Sequence, residues 1–370
     1  MGKPPTILDV ADALGMHKST VSLALSGKGN VSAATRARIR HVAREMGYEP
    51  NPLAQRLAQG VRNDTVCIVS GVLDVGLATE KILLIQEELT ALSFEAPIHS
   101  CSRRRYAESD THEVQVRQIK QLCRQRPRAI VCYTPLLDPA VFQELEAYQK
   151  EGGIVICYDH PAPLACDQVV FDREDNAYQA AKHLLEQGHR AVGLRTTPEA
   201  ERLSGTPSDP QTLRWQGFCR ALEEYGAPLR EEWVFRLPTY EMGGAELTER
   251  FLALKDRPTG LCIVNDYVAM AFLVQATRAG VRVPEDLSVI GHDDQPIAAL
   301  CPVPLTSATH PVREIARAVV TLLTDRLEGR ATDPGPRRVV VRGDLVRRES
   351  VIPPHRITGK SSEIGGGAMV

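Results

Sequence analysis

The sequence predicts an all-α head followed by a large α/β body of two doubly wound sheets. Three observations carry this. The chain has 370 residues and a mass of 40.7 kDa, too long for one small domain and suited to two or three packed units. Its first 50 residues show only helical periodicity, whereas from Thr65 onward short apolar runs alternate with helical patterns, one unit every roughly 25 to 30 residues. The charge is also divided: residues 1–62 hold nine Lys/Arg against four Asp/Glu, +5, which leaves −7 on the other 308. A basic head on an acidic body points to a polyanionic partner for the head alone.

Composition excludes several classes. Hydrophobic residues make up 43% and charged residues 24%, the balance of a globular protein with a sizeable core. No run approaches the roughly 18 apolar residues of a membrane span, and Met1–Pro5 does not open a secretory signal; no membrane partner is expected, and the expected compartment is the cytoplasm. The nine cysteines occur singly, without a Cys-x-x-Cys pair, in runs such as Val66-Cys67-Ile68-Val69. They are expected to be reduced core thiols.

The head elements follow from local signals. Ile7, Val10, Ala11 and Leu14 share one helical face, with Thr6 as N-cap and Gly15 as stop. After three residues a second helix runs from Lys18 to Leu25, with Val21, Ala24 and Leu25 inward. Ser26–Asn30 is a turn. Ser32 caps a third helix to Met46, closed by Gly47, with Ile39, Val42 and Met46 inward. Two short helices joined by a three-residue turn in a basic segment are the arrangement that lays a second helix in the DNA major groove. On spacing alone, a generic three-helix bundle with a solvated basic face fits as well.

The residues themselves closely resemble the DNA-binding head of the lactose-repressor (LacI/GalR) family of bacterial transcription regulators. The match runs through Lys3–Ala11, Gly15, Ser19–Leu25, Val31–Arg36 and Gly47–Asn51 without a gap. The resemblance implies that Lys18 and Ser19 touch base edges, where Lys18 can donate to guanine. Thr20 and Ser22 would bond phosphates and set register. It extends the DNA-binding set to Thr6, His17, Leu23, Ser32 and Thr35. Two departures stand out. His17 occupies a position where a small hydroxyl residue is usual, and Leu23 one where many members carry a polar residue. Leu23 either meets a thymine methyl or faces out without a base contact.

Asn51–Ala58 has helical spacing, an Asn cap and Pro52 at the first helical position, yet about eight residues are too few for a stable isolated helix. The resemblance implies a hinge helix that orders on DNA and pairs across a dimer, adding Asn51, Ala54 and Leu57 to the DNA-binding set. Leu57 would wedge into the minor groove. A ligand that shifts the dimer halves could then unfold the hinge and release the operator.

In the body, strands are expected at Val66–Val69, Ala129–Tyr133, Ile154–Tyr158, Val169–Phe171, Ala191–Leu194, Leu261–Val264 and Val289–Gly291. Helices include Asp175–Gln187, Leu213–Tyr225 and Tyr267–Ala279. Motifs such as Phe171–Asn176, His183–Arg190, Arg214–Phe218, Val264-Asn265-Asp266 and Ser288–Asp294 resemble the family's periplasmic-binding-protein-like core of two subdomains joined by three crossovers. The expected organisation is a head over 1–50, a hinge over 51–62 and a core over 63–352. Within the core, subdomain 1 takes 63–162 and 296–327, and subdomain 2 takes 163–295 and 328–352. Residues 353–370 form a tail expected to be disordered.

Ligands of open α/β sheets bind beyond the carboxyl ends of strands, where Asp159, Asn265 and Asp293 fall. With Arg214 they offer planar hydrogen-bonding groups suited to sugar hydroxyls. The resemblance adds Phe171 and Tyr240, for which plain core packing fits equally well; for Arg214 and Asp293 the competing role is a structural salt bridge. The long segment Thr196–Pro210, with Arg202 and Ser208, lies over the cleft by position, and Ala78–Cys101 departs from the family pattern.

No metal site, cofactor or catalytic residue is expected. His183 and His189 do not share a helical face, and neither Gly-x-Ser-x-Gly nor a phosphate-binding Gly-rich loop occurs. The resemblance implies a DNA-binding regulator, most often a repressor in this family. It would act as a homodimer on a pseudo-palindromic operator, with a small-molecule effector, a sugar or sugar derivative, in the cleft. The alternatives are a nucleobase-type corepressor, an activator role and, remotely, a carbohydrate-acting enzyme. Dimer contacts are expected from Ala78–Leu92 and Cys301–Thr309, and no tetramer is expected because Gly365–Val370 offers no leucine-rich helix.

Overall fold

The computed structural model describes residues 5–25, 31–48, 64–73, 76–101, 111–135, 137–197, 210–237 and 243–354. The hinge expected over 51–62, the residues Lys3, Lys28, Arg202, Ser208 and Tyr240, and the tail from 355 onward lie outside them.

Three helices build the head: α1 (Ile7–Leu14), α2 (Lys18–Leu25) and α3 (Ala33–Glu45). Thr6 accepts from the Asp9 amide while the Asp9 carboxylate takes the Thr6 amide, a reciprocal capping box. Gly15 closes α1 at φ +62, a left-handed value that only glycine adopts without cost. Ser32 caps α3 by accepting from the Thr35 amide at 3.1 Å. Val10, Ala11, Val21, Ala24, Ile39 and Ala43 form the head core. Val42, expected inward, is only half-buried; Ala43, one turn on from Ile39, takes the buried place.

Beyond residue 64, strands and helices alternate. First come β1 (Val66–Ser70), α4 (Gly76–Ala91), β2 (Ile98–Ser100), α5 (Thr111–Arg124), β3 (Ala129–Tyr133), α6 (Val141–Lys150), β4 (Ile154–Asp159) and β5 (Asp167–Phe171). Next are α7 (Arg173–Glu186), β6 (Val192–Thr196), α8 (Pro210–Glu224), β7 (Val234–Arg236), α9 (Gly243–Ala253) and β8 (Gly260–Ile263). The rest is α10 (Asp266–Arg278), β9 (Ser288–Asp293), α11 (Pro296–Leu300), β10 (Thr306–Thr309), α12 (Val312–Leu327), β11 (Arg338–Val341) and β12 (Leu345–Val346).

The strands form two six-stranded sheets, ordered β11-β5-β4-β3-β1-β2 and β12-β10-β9-β8-β6-β7. They are parallel sheets with β12 as an antiparallel edge. Strands β1, β3, β6 and β8 are buried at every position, the pattern of a sheet covered on both faces. The short strands β2, β7, β10, β11 and β12 were not expected: two to four residues, several of them polar, make no readable run.

Sheet membership departs from the boundaries expected at 162/163, 295/296 and 327/328. β5 and β11 lie in the first sheet and β10 in the second. Ladder pairing decides this: Val339 of β11 sits opposite Val169 of β5, and Thr306 of β10 opposite Ile290 of β9. The chain passes between sheets three times, after β5, β10 and β11. By contact density it divides into residues 1–157, 162–167 and 319–337 as one unit and 158–161, 168–318 and 338–370 as the other. All nine cysteines are free thiols, seven of them buried. Among the described residues no helix is long and apolar enough to cross a membrane.

Candidate functional site

The head presents one polar face. Because Val21 and Ala24 of α2 enter the core, Lys18, Ser19 and Leu23 are exposed, with Thr20 and Ser22 half-buried beside them. Leu23 is 43% exposed, a large apolar side chain on the face that would meet DNA. His17 caps α2: its Nδ1 accepts from the Ser19 amide at 3.4 Å and lies 2.8 Å from Ser19 Oγ. An imidazole thus fills the role of the small hydroxyl residue usual at that position. The hydroxyls of Thr6, Ser32 and Thr35 are likewise engaged in caps, Thr6 Oγ1 donating to Asp9 at 2.7 Å and Ser32 Oγ lying 2.8 Å from Thr35 Oγ1. Asn51, Ala54 and Leu57 lie outside the described residues.

In the second unit, polar side chains gather at the carboxyl ends of strands. Asp293 ends β9, His310 follows β10, Asp159 ends β4 and Phe171 ends β5, while Arg214 lies near the start of α8. His310 links them. Its Nε2 is 3.3 Å from Asp159 Oδ1, and its Nδ1 is 3.7 Å from Asp293 Oδ1. Arg214 Nη2 is 3.9 Å from the same Asp293 oxygen, an ion pair rather than a hydrogen bond. Arg173 donates to both the carboxylate and the main-chain oxygen of Asp159. Phe171 packs against both, its ring 4.3 Å from that of His310 and 5.1 Å from the Arg173 guanidinium.

Two of these carboxylates bear strain. Asp159 has φ +83 and Asp293 φ +98, followed by Asp294 at φ +47. Each such non-glycine residue costs about 1–3 kcal/mol and persists only where its surroundings over-determine it. Protonation is shifted as well. Burial would push the Asp293 carboxyl up, but His310 and Arg214 outweigh it and hold it at about 2. Burial, then the Arg173 charge, lowers His160 to about 3; burial, then Arg214, lowers His292 to about 4. Burial and the neighbouring Arg214 lower Arg195 to about 10. Arg214 therefore acts on Asp293, His292 and Arg195 alike.

The structure brings Asp159, Phe171, Arg214 and Asp293 into one network. Asp159 and Phe171 are 0% and 1% exposed, and Phe171 and Arg173 border a cavity together with Pro161 and Leu213. Asn265 caps α10, its Oδ1 accepting from the Val268 amide at 3.2 Å. Tyr240 lies outside the described residues. Sequence reasoning missed Arg173, His310 and the buried Arg195, whose guanidinium donates to the carbonyls of Val264 and Leu237. For Arg195 there was a signal: a lone charge inside the apolar run Val192–Thr196. Among the described residues no three His, Cys or carboxylate side chains gather to hold a metal.

A helix-turn-helix head fused to two parallel α/β sheets, with a charged network at the strand ends, defines a ligand-responsive DNA-binding regulator. Known proteins agree. Residues 6–51 match the family described as bacterial regulatory proteins, lacI family, and residues 181–351 match the periplasmic binding protein-like domain. The chain is 28% identical over 342 residues to the HTH-type transcriptional repressor CytR of Escherichia coli K12, covering 91% of this chain and 95% of that protein. It is also 28% identical to the HTH-type transcriptional regulator DegA of Bacillus subtilis, over 94% and 98%. A solved complex of the transcriptional regulator CelR with cellobiose superposes with a TM-score of 0.63 at 25% identity, covering 94% of this chain and all of that one. The lac repressor dimer bound to operator and the anti-inducer ONPF shares the fold at a TM-score of 0.66 and 24% identity, over 95% and 100%. The chain belongs to the LacI family of bacterial transcriptional regulators, with a periplasmic-binding-protein-like effector domain; it is not an enzyme.

Proposed function

We propose that this regulator acts in the cytoplasm as a homodimeric repressor. It reads a pseudo-palindromic operator through α2 and the hinge, and a sugar-type effector bound by Arg214, Asp293 and Asn265 controls its hold on DNA. The observation that carries the effector half is the Arg214–Asp293–His310 network at the carboxyl ends of β9 and β10. Asp293 stays ionised there and 13% exposed, able to accept hydroxyl hydrogen bonds beside a guanidinium that donates them. Asp159 and Phe171 belong to the proposed effector set too, with Arg173 donating to the Asp159 carboxylate. The dimer half is supported by Leu83 and Leu92, each 51% exposed in or just after α4, and Leu300, 74% exposed at the end of α11. Tyr240 remains part of the proposed effector set. CytR is a repressor and CelR was solved with cellobiose, which favours this reading over an activator.

The test begins with a thermal-shift screen of sugars, cellobiose included, and nucleosides. A ligand at 100 times its Kd raises stability by about 2.7 kcal/mol. Operator binding is then titrated with the hit for Asp293→Ala and Arg214→Ala. Each loses a charge-assisted hydrogen bond of about 1.5–3 kcal/mol, so effector binding weakens at least about tenfold while ligand-free operator affinity changes less than about threefold. An intact effector response in both variants would show the ligand site to be elsewhere.

A further inference from the structure

We propose that Asp266 and Ser307 act as positioning residues for the effector site, a buried clamp that fixes the Asp293–Gln295 turn and so aims the Asp293 carboxylate. This rests on the reading of Asp293 as an effector ligand.

Asp266 opens α10, yet it is 0% exposed. A carboxyl in the first turn of a helix ordinarily faces water, where it meets the helix dipole at no desolvation cost. Here it reaches across to two other elements. Ser307 Oγ donates to Oδ1 at 2.7 Å, and the Gln295 amide donates to Oδ2 at 2.7 Å. Ser307 Oγ in turn accepts from the Asp294 amide at 3.1 Å. Two consecutive amides after Asp293 are therefore held by one pair of side chains, while the Asp293 carbonyl accepts from the His310 amide at 3.3 Å.

That anchoring coincides with the left-handed backbone of Asp293 and Asp294. Two adjacent non-glycine residues in that region relax unless their neighbours prevent it. A second observation is independent of the hydrogen bonds. A Cβ added to Gly291 would lie 2.1 Å from Asp266 Oδ1 and 2.6 Å from Leu305 Cδ2. The glycine two residues before Asp293 is thus the space through which Asp266 reaches its partners.

The groups facing Asp266 are Asp293, Asp294 with its partner Arg348 at 2.7 Å, and the Cys301 thiol. Burial and the Asp293 charge raise the Asp266 carboxyl to about 8, so at neutral pH it holds its proton. A neutral amide, its oxygen accepting from the Gln295 amide and its NH2 donating to Ser307 Oγ where the carboxyl proton would lie, is then its nearest mimic, and Asp266→Asn should preserve what Asp266→Ala destroys.

Hydrogen–deuterium exchange on the full-length protein at pH 7 reads the clamp without any effector, so a misplaced effector site would not spoil the measurement. In Asp266→Ala and Ser307→Ala the amides of 293–295 and 297 should exchange at least about tenfold faster, with α10 and the first residues of β9 unchanged. Asp266→Asn should stay within about threefold of the parent. If Asp266→Ala does not fold, Ser307→Ala decides. Unchanged exchange at 293–295 and 297 in the alanine variants overturns the proposal. So does a rise spread equally over α10, β8 and β9, which would mark general destabilisation, or an Asp266→Asn protein as loose as Asp266→Ala.

Discussion

Replacing Asp159 by Asn changes almost nothing but a charge, which makes it a clean probe of the network at the effector site. The amide matches the carboxylate in shape, and Asn tolerates φ +83 about as well as Asp. Lost are the negative charge opposite Arg173 and one of the two acceptor oxygens that Arg173 and His310 Nε2 approach. Arg173 is 5% exposed and has no water to replace its partner. Breaking a buried pair from one side costs about 3–5 kcal/mol, because the remaining charge stays desolvated. Two contacts survive, the bond from Arg173 Nη1 to the Asp159 carbonyl at 2.8 Å and the stacking on Phe171. The lower end, about 3 kcal/mol, is therefore expected. At about 2–4 °C per kcal/mol this lowers the melting midpoint by about 6–12 °C, readable by calorimetry. Glu246→Gln, in the exposed pair with Arg250, is the control and should cost under about 0.5 kcal/mol. Adding Arg173→Met to Asp159→Asn removes the stranded charge and should restore most of the loss. A loss below about 1 kcal/mol for Asp159→Asn, or no recovery in the double variant, would refute the account of a desolvated pair.

Three further outcomes are expected. The folded Asp266 carboxyl, held near 8 by burial, keeps a proton that the unfolded chain releases near 3.8, so this group makes stability fall as pH rises from about 4 to about 8 and level off above. Asp266→Asn removes that slope in urea titrations across pH; parallel curves for variant and parent would contradict it. Lys18→Ala should cost about 1–3 kcal/mol on operator DNA and relax one base position per half-site. Arg36→Ala should weaken all sequences alike and lower the salt slope, and equal loss of the Lys18 variant on operator and random DNA would overturn the assignment. Gly217→Ala puts a Cβ 2.0 Å from the Glu174 carbonyl oxygen where α8 crosses α7, and should lower stability by about 1–3 kcal/mol; an unchanged denaturation midpoint would count against that close approach.

Much of the head was legible because its signals are local. Thr6, Gly15 and Ser32 mark helix ends by capping bonds within three or four residues, and α1 and α2 begin and end where periodicity places them. In the body, the long apolar strands β1, β3, β4 and β8 were readable, while β10, spelled Thr-Ser-Ala-Thr, was not. Missing β10 hid His310, the next residue. Arg173 was inside a quoted motif, but nothing near it in the chain showed that its partner was Asp159.

What the sequence determined alone is the alternation of elements, the basic charge of the head and the residue types available at strand ends. These depend on periodicity and composition, which neighbours in the chain fully express. The tertiary structure decided which of those residues are dry and whom they meet. Asp266 bonds Ser307 across 41 residues and Gln295 across 29, and Arg173 reaches back 14 to Asp159. A carboxylate reads the same in sequence whether solvated or buried, but desolvation makes its partner obligatory only once the fold removes the water. That is why the pairing of Asp159 with Arg173, and the hold of Asp266 on the turn after Asp293, emerged only in three dimensions.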